Sequence, residues 1–382
     1  MKNTRQFDVL VVYNNLATSA SLIKKGNTMP FSNKKEMKQY NDAYSFFLDT
    51  CHENGISAAF TTTSDFMKDG ISQSYWEYSN KTWSKTLGKC YSKLIFDKFS
   101  PFGSFSQHIK SLFSVKTGVR PFNDSVLHEL FDDKYRTFEK LSEYTIPTVK
   151  IDNNSRDGIK SSLIELQFLT SLHKNSSDFS TSIILKDRFG SGGDNIFKID
   201  ADFVKKIHSI VNKMDNNSFI VQPFMDFETG YNYKKNTAAT DIRVIYLNGK
   251  IIQSYIRIAK EDDFRCNEHQ GGTVLYLKEK EIPSLIIKTG KKIIKNLDRK
   301  NALYTLDFII SNNGNAYLLE GNINPGIYWG AGETDDEKMT KQLTQIIVKE
   351  CKSKIKRRKL EINIEIPNLL DKINPTFSVP RF

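Results

Sequence analysis

The stretch LYTLDFIISNNGNAYLLEGN (residues 303–322) decides how this chain is read. Two apolar runs flank Asn313-Gly314, and both residues tolerate the positive φ that a tight two-residue turn demands, so the segment predicts a β-hairpin. A two-residue loop there sets Asp307 directly across from Glu320, and opposed residues share a sheet face with Cβ atoms roughly 5 Å apart. Asn322, two positions further on, points to the same face. Two carboxylates and an amide oxygen thus converge among apolar strands, where unpaired like charges are costly. A hard cation relieves that cost. An all-oxygen donor set suits Mg²⁺, which keeps several waters and binds through one or two carboxylates plus substrate phosphates. The plainer alternative is a solvated hairpin edge carrying chance acids.

Upstream, ILKDRFGSGGD (184–194) places Lys186 at the end of a strand, ahead of Gly190, Ser191, Gly192 and Gly193. Glycines let backbone N–H groups approach a phosphate closely, and a lysine beside them supplies charge. Neither GxxxxGK[ST] nor GxGxxG occurs, so this is neither a P-loop nor a dinucleotide-binding fingerprint. Taken alone, the loop could equally be a plain glycine-rich turn.

The 382 residues carry 55 Lys+Arg against 44 Asp+Glu, a net charge of +11, with 39% hydrophobic and 26% charged residues. That composition is ordinary for globular domains and excludes a wholly disordered, collagen-like or disulfide-scaffold chain. The positive balance suits an anionic partner. Basic residues are spread along the chain except for KSKIKRRK (352–359), and no RNP, zinc-finger or helix-turn-helix pattern accompanies them, so nucleic acid is not the expected partner. No apolar run approaches the roughly 20 residues that span a bilayer, and MKNTRQFDVLVVYNN is no signal peptide, so the cytoplasm is the expected compartment, with no membrane partner. Cys51, Cys90, Cys266 and Cys351 form no CxxC pair and suggest neither zinc nor disulfides.

Strand and helix patterns alternate through the first third: FDVLVVY (7–13), a helix over about 36–54 closed by Gly55, ISAAF (56–60) and KLIFDKF (93–99). Two helical patterns fill 126–144. A helix over 156–173, strands at 182–187 and 195–199, a further helix and the strand FIVQPF (219–224) follow, before two hairpins centred on Asn248-Gly249 and Asn313-Gly314. We therefore expect an N-terminal α/β domain (1–125), a second domain (126–351) split at 218/219, and a basic tail (352–382) that docks or lies partly disordered. In the first hairpin a two-residue turn opposes Arg243 to Ser254 and sends Arg243 and Arg257 to opposite faces, so both reach one site only through a bulge.

The order of these pieces resembles the ATP-grasp superfamily over roughly residues 126–335. Within it, DIRVIYLNGKIIQSYIRIAKEDDFRCNEHQGG (241–272) is similar to the DIR, Arg, FRxN and HxGG pattern of RimK-type carboxylate–amine ligases. The resemblance implies an α/β pre-grasp domain followed by a two-subdomain ATP-grasp fold. It implies that Lys134 and Lys186 hold ATP phosphates under a lid of Gly190, Ser191, Gly192 and Gly193. The backbone of Gln222, Pro223 and Phe224 reads adenine, and Asp241 contacts nucleotide. Arg265 and Asn267 lie near the transferred phosphate, Arg257 contacts phosphate or forms a salt bridge, and Asp307, Glu320 and Asn322 hold Mg²⁺ or Mn²⁺.

Departures include Asp187 where relatives carry Pro, Pro223 at the hinge, Gly321 in place of Val, and a longer stretch 225–240 that could face substrate. Arg243 reads as structural, His269 as an orienting residue, and Tyr328-Trp329 as packing. The implied activity joins an anionic small-molecule or peptide carboxylate to an amine through an acyl-phosphate, releasing ADP and phosphate; a homo-oligomer is compatible with this. Modification of a genetically encoded peptide, or a non-catalytic ATP-binding regulator, are the alternatives.

Overall fold

The structure is a computed structural model that describes residues 4–14, 29–32, 35–99, 119–214, 218–234, 238–299, 301–323, 325–329 and 334–373. The chain divides into two compact units, one formed by Met1–Phe99, Gly103–Phe122 and Gly326–Phe382, the other by Ser100–Phe102 and Asn123–Pro325.

In the first unit, β1 (Arg5–Tyr13), α1 (Lys35–Glu53), β2 (Ala58–Thr62), β3 (Ile71–Ser72), β4 (Tyr75–Ser79), β5 (Thr82–Thr86), β6 (Cys90–Lys98) and β7 (Arg120–Pro121) build one seven-stranded sheet. Its order is β3-β6-β1-β2-β4-β5, with β7 beside β6. β1 runs parallel to β2 and β6, as continuous apolar runs buried on both faces require. The β4–β5 hairpin was not among the sequence expectations. Its turn, Asn80-Lys81, has both residues at positive φ, so an Asn-Lys pair does here what Asn-Gly usually does.

The C-terminal helix, Thr334–Ile373, groups with this unit, burying Leu343, Ile347, Val348 and Cys351 and packing on α1. This corrects one expectation: the helix continues through the basic run at 352–359 instead of ending near Cys351. Glu350 pairs with Lys354 at one-turn spacing and with Arg357 two turns on, which supports helix where a tail was expected. Residues 374–382 of that tail lie outside the described residues.

The second unit holds two sheets. In chain order its elements are α2 (Ser125–Phe131), α3 (Lys134–Leu141), β8 (Val149–Lys150), α4 (Arg156–Leu172), β9 (Phe179–Asp187), β10 (Ile196–Ile199), α5 (Phe203–Val211) and β11 (Phe219–Met225). Then come β12 (Thr240–Leu247), β13 (Lys250–Ile258), β14 (Thr273–Tyr276), α6 (Ser284–Leu297), β15 (Leu303–Ile310) and β16 (Ala316–Asn322). The four-stranded sheet runs β10-β9-β11-β8 and the five-stranded sheet β14-β13-β12-β15-β16. A split at 218/219 therefore falls in the wrong place, because β11 pairs antiparallel with β9 and β8 and completes the first sheet. Nor is the division sequential: Leu127, Phe131 and Leu141 of α2 and α3 share the core of the five-stranded sheet with Ile242, Tyr304, Phe308 and Leu318.

The stretch after β11 packs along the second unit, and its Phe227 also lines a cleft. Asp226 O accepts from Asn312 N at 2.9 Å, Thr229 N donates to the Asn312 side chain at 2.9 Å, and Tyr231 and Tyr233 pack on the sheet's core. Gly230 is required there, since a Cβ would stand 1.8 Å from the Ile310 carbonyl oxygen. Residues 235–237 lie outside the described residues.

Candidate active site

Both hairpins contain bulges, and these bulges build the site. Asn248-Gly249 forms the expected turn, with both residues at positive φ, and Leu247 pairs with Lys250. An extra residue, Ile252, then shifts the pairing, so Arg243 faces Tyr255 and Asp241 faces Arg257. Alternation now puts Asp241, Arg243 and Arg257 on one face. In the second hairpin the loop has three residues, not two: Gly314 N donates to Ser311 O at 2.8 Å and Ser311 N to Asn315 O at 2.8 Å, and of Asn313 and Gly314 only the glycine has positive φ. The strands pair Ile310 with Ala316 and Phe308 with Leu318, then an extra Leu319 on β16 restores Asp307 opposite Glu320 and Thr305 opposite Asn322. The expected Asp307–Glu320 pair is present, reached by two irregularities that cancel.

Asp307 is fully buried, and its charge is met by arginines. Arg243 Nε donates to Oδ1 at 2.7 Å, Arg257 donates to Oδ2 at 2.8 Å, and Arg257 also clasps Asp241 with two bonds of 2.8 and 2.7 Å. Burial alone would raise the Asp307 carboxyl, but the two guanidinium charges outweigh it and hold the group below the usual carboxylate range. Arg243 and Arg257 thus relieve charge that the sequence reading met with a hard cation alone. Glu320 stands 3.7 Å from Arg243 and keeps a quarter of its side chain exposed.

Does a hard cation still fit? Among the described residues no three His, Cys, Asp or Glu side chains gather as a metal cluster, and Asn322 offers an amide oxygen two positions beyond Glu320. Glu320 and Asn322 share a sheet face with the buried Thr305 hydroxyl, which has no hydrogen-bond partner. The donor set is all oxygen and suits Mg²⁺, with Asp307 shared between it and the arginines.

A cleft opens beside this face, lined among others by Ile184, Lys186, Phe224, Phe264, Asn267 and Leu319. Gln222, Pro223, Asp241 and Arg265 also line it. Lys186 and Gln222 further border a neighbouring cavity with Lys134 and Glu320. Burial and the nearby Lys134 charge push the Lys186 ammonium down to about 7, against the pull of Glu320. Lys134 opens α3, which Asp133 caps, and its ammonium donates to Gly190 O. Arg188 holds Asp133 through two bonds of 2.7 and 2.6 Å, fixing the loop's entry.

Gly192 and Gly193 both adopt positive φ, and a Cβ on Gly193 would come 2.8 Å from Asn267 Oδ1. Gln270 donates to Asp194 at 3.1 Å. The glycine loop is thus seated on the Asn267–Gln270 segment, with Ser191 and His269 beside it. Arg265 is turned onto Asp263 (2.9 Å), Gln222 Nε2 donates to Thr148 at 2.7 Å, and the Phe224 ring meets Phe264 edge to face at 5.6 Å.

Residues absent from the sequence reading are the apolar lining, Ile146, Ile184, Ile309, Leu319 and Phe264, and the Asp307-binding role of Arg243. Period-two burial marks such positions as core. At the Leu319 bulge the consecutive residues Leu319 and Glu320 both border the neighbouring cavity.

Residues 132–347 match the RimK-like ATP-grasp domain. The chain is 26% identical over 214 residues to a probable alpha-L-glutamate ligase of Thioalkalivibrio sulfidiphilus, covering 55% of this chain and 61% of that protein, so it spans about three fifths of that curated relative. Among solved structures it resembles the D-alanyl-alanine synthetase A of Vibrio cholerae (TM-score 0.56, 12% identity, 91% of this chain and 99% of that one). It also resembles the ATP-grasp ligase PsnB, solved with a phosphomimetic variant of its minimal precursor, Mg and ADP (TM-score 0.53, 11% identity, 90% and 99%). At such identities these two likenesses speak for the fold alone. With residues 132–347, more than half of its length, matched, the chain belongs to the RimK-like ATP-grasp family.

Proposed function

We propose that the chain is an ATP-dependent carboxylate–amine ligase acting in the cytoplasm, where ATP is supplied. The observation that supports this reading is that the buried Lys186 lines the apolar cleft and borders, with Lys134 and Glu320, the cavity beside it, while Lys134 donates to Gly190 of the glycine loop. In the proposed reaction an oxygen of the substrate carboxylate attacks the γ-phosphorus, ADP leaves, and the amine nitrogen displaces phosphate from the acyl carbon as it loses a proton.

No nucleophilic side chain is needed, so the protein's part is to position and to stabilise charge. Ile184, Phe224, Phe264 and Leu319 would sandwich the base. Lys134, Lys186 and the loop amides of Gly190 to Gly193 would hold phosphates. Arg265 would swing from Asp263 to the transferred phosphoryl group, with Asn267 beside it. Asp307, Glu320 and Asn322 would hold Mg²⁺ or Mn²⁺, which neutralises charge on the phosphates when bound. The net charge of +11 favours an anionic carboxylate substrate, an amino acid or a peptide. The relative's printed name makes glutamate the first amine to try.

The test is ADP and phosphate release with Mg²⁺ and pooled amino acids, dipeptides and acidic peptides, with mass spectrometry of products. Release dependent on one pool, with a mass gain fitting an amide, supports ligation. Nucleotide binding without release from any pool would sink it in favour of a regulator.

Lys186 adds a pH signature. Nucleotide-free, it is charged only below about 7, and a bound phosphate favours the charged form. Binding at pH 8 is therefore expected to take up about one proton per nucleotide, read by calorimetry in buffers of different ionisation enthalpy. Its folded value lies below the usual 10.5, so between about 7 and 10.5 the unfolded chain binds the extra proton and stability rises with pH. In Lys186→Met the proton uptake should vanish and that slope should lose the part due to Lys186, Lys98 keeping its own share, while nucleotide affinity falls.

A further inference from the structure

Asp178 stands in the short turn between α4 and β9, 5% exposed, with no part in the reaction proposed above. Its carboxylate accepts from Tyr317 Oη at 2.6 Å, Asn313 Nδ2 at 2.8 Å and Asn315 Nδ2 at 3.0 Å. The three donors are alternate residues running from the hairpin loop (Asn313) through Asn315 into β16 (Tyr317), so a single acid reads one side of that segment.

Two registers compete for this hairpin. Asn313-Gly314 favours a two-residue turn, which would pair Ile309 with Leu318 and Phe308 with Leu319 and leave no bulge. The observed three-residue loop pairs Phe308 with Leu318 and expels Leu319 toward the cleft. Against Phe308 the slip merely exchanges one leucine for its neighbour, but it also takes the buried Tyr317 ring off His173 and Phe179, so ring packing acts with Asp178 in favour of the observed register. Asp307 faces Glu320 in both. Asn312, held by Asp226 and Thr229, ends β15 in both. What differs is that Asn315, Tyr317 and Leu319 turn to the opposite face in the straight register, away from Asp178.

We infer that Asp178 is a positioning residue: by holding Asn313, Asn315 and Tyr317 it selects the bulged register of β16 and thereby turns Leu319 into the cleft. The consequence for nucleotide rests on the reading of that cleft as a nucleotide site. The consequence for register does not.

The experiment separates the two. A Leu319→Cys probe reports register through its rate of thiol labelling, against the unsubstituted protein, whose four cysteines are all buried, as blank. With Asp178 intact the probe lines the cleft and labels. Adding Asp178→Asn should slow labelling about tenfold, and Asp178→Asn without the probe should weaken ATP binding about tenfold, the scale of losing one leucine contact.

Asn313→Thr supplies the rescue. Residue 313 has negative φ in the observed loop but would need positive φ in the two-residue turn, where a β-branched residue is strained. Asn313→Thr in the Asp178→Asn background should therefore return labelling and affinity most of the way, although it deletes another polar side chain. A merely structural Asp178 would give further loss instead. Unchanged labelling in a folded Asp178→Asn probe, or no recovery with Asn313→Thr, overturns the inference. Should Asp178→Asn not fold, Tyr317→Phe removes the shortest of the three bonds and is read the same way. A Leu319→Cys series that labels as expected, together with an unsubstituted protein that binds no ATP, would overturn the nucleotide reading and leave the role of Asp178 standing.

Discussion

Asp307→Asn is expected to cost about 3–5 kcal/mol of stability, because it withdraws the shared anion from two buried guanidinium groups that cannot shed their charge. Arg243 is left with Glu320 at 3.7 Å and Arg257 with Asp241 alone. For a unit of about this size the loss corresponds to a fall in Tm of roughly 6–20 °C, read by thermal melting of the nucleotide-free protein. A shift of only a degree or two would show that water or a side-chain rearrangement compensates the arginines and that the Asp307 network does not hold the sheet. The loss should also depend on pH in a definite sense. The folded-state carboxyl lies below its usual range, so the stability Asp307 contributes is present above that range and disappears as the solution is acidified through the folded value. Asp307→Asn should accordingly flatten the acid limb of the stability profile.

How much of this was legible beforehand differs by level. The strands at 7–13, 93–99, 182–187 and 219–224 and the helix at 156–173 were readable because apolar periodicity is set locally. The β4–β5 hairpin was missed because Asn80-Lys81 lacks the glycine that advertises such a turn, although the alternation of Trp76, Tyr78, Trp83 and Lys85 was available. Register was half legible. Asn248-Gly249 made the expected turn, yet the bulge at Ile252 brought Arg243 and Arg257 to one face, the condition for both to serve one site. The Asp307–Glu320 pairing was right for a reason that was not, since a longer loop and the bulge at Leu319 offset each other. Bulges answer to partners distant in sequence, here Asp178, more than 130 positions from the residues it holds. No local pattern encodes that. The same limit explains the charge balance at Asp307, where the compensating cations come from two other strands.

Glu320→Gln is the complementary case, expected to reduce ADP release on the order of 10²–10³-fold while leaving folding nearly unchanged. The side chain is partly exposed and its ion pair to Arg243, at 3.7 Å, is long, so loss of its charge strands no buried partner. Glutamine keeps the shape and one acceptor oxygen but removes the negative charge that a hard cation and its phosphates require beside Lys186 and Asn322. Nucleotide should still enter, because Ile184, Phe224, Phe264 and Leu319 are untouched. Raising Mg²⁺ should recover part of the rate. The paired measurement matters more than either alone. If Asp307→Asn loses both stability and turnover, its lost activity says little about chemistry. If Glu320→Gln loses turnover at an unchanged Tm, the loss belongs to the site. Wild-type turnover in Glu320→Gln would remove the acidic face from the reaction and leave the apolar cleft as a binding pocket only.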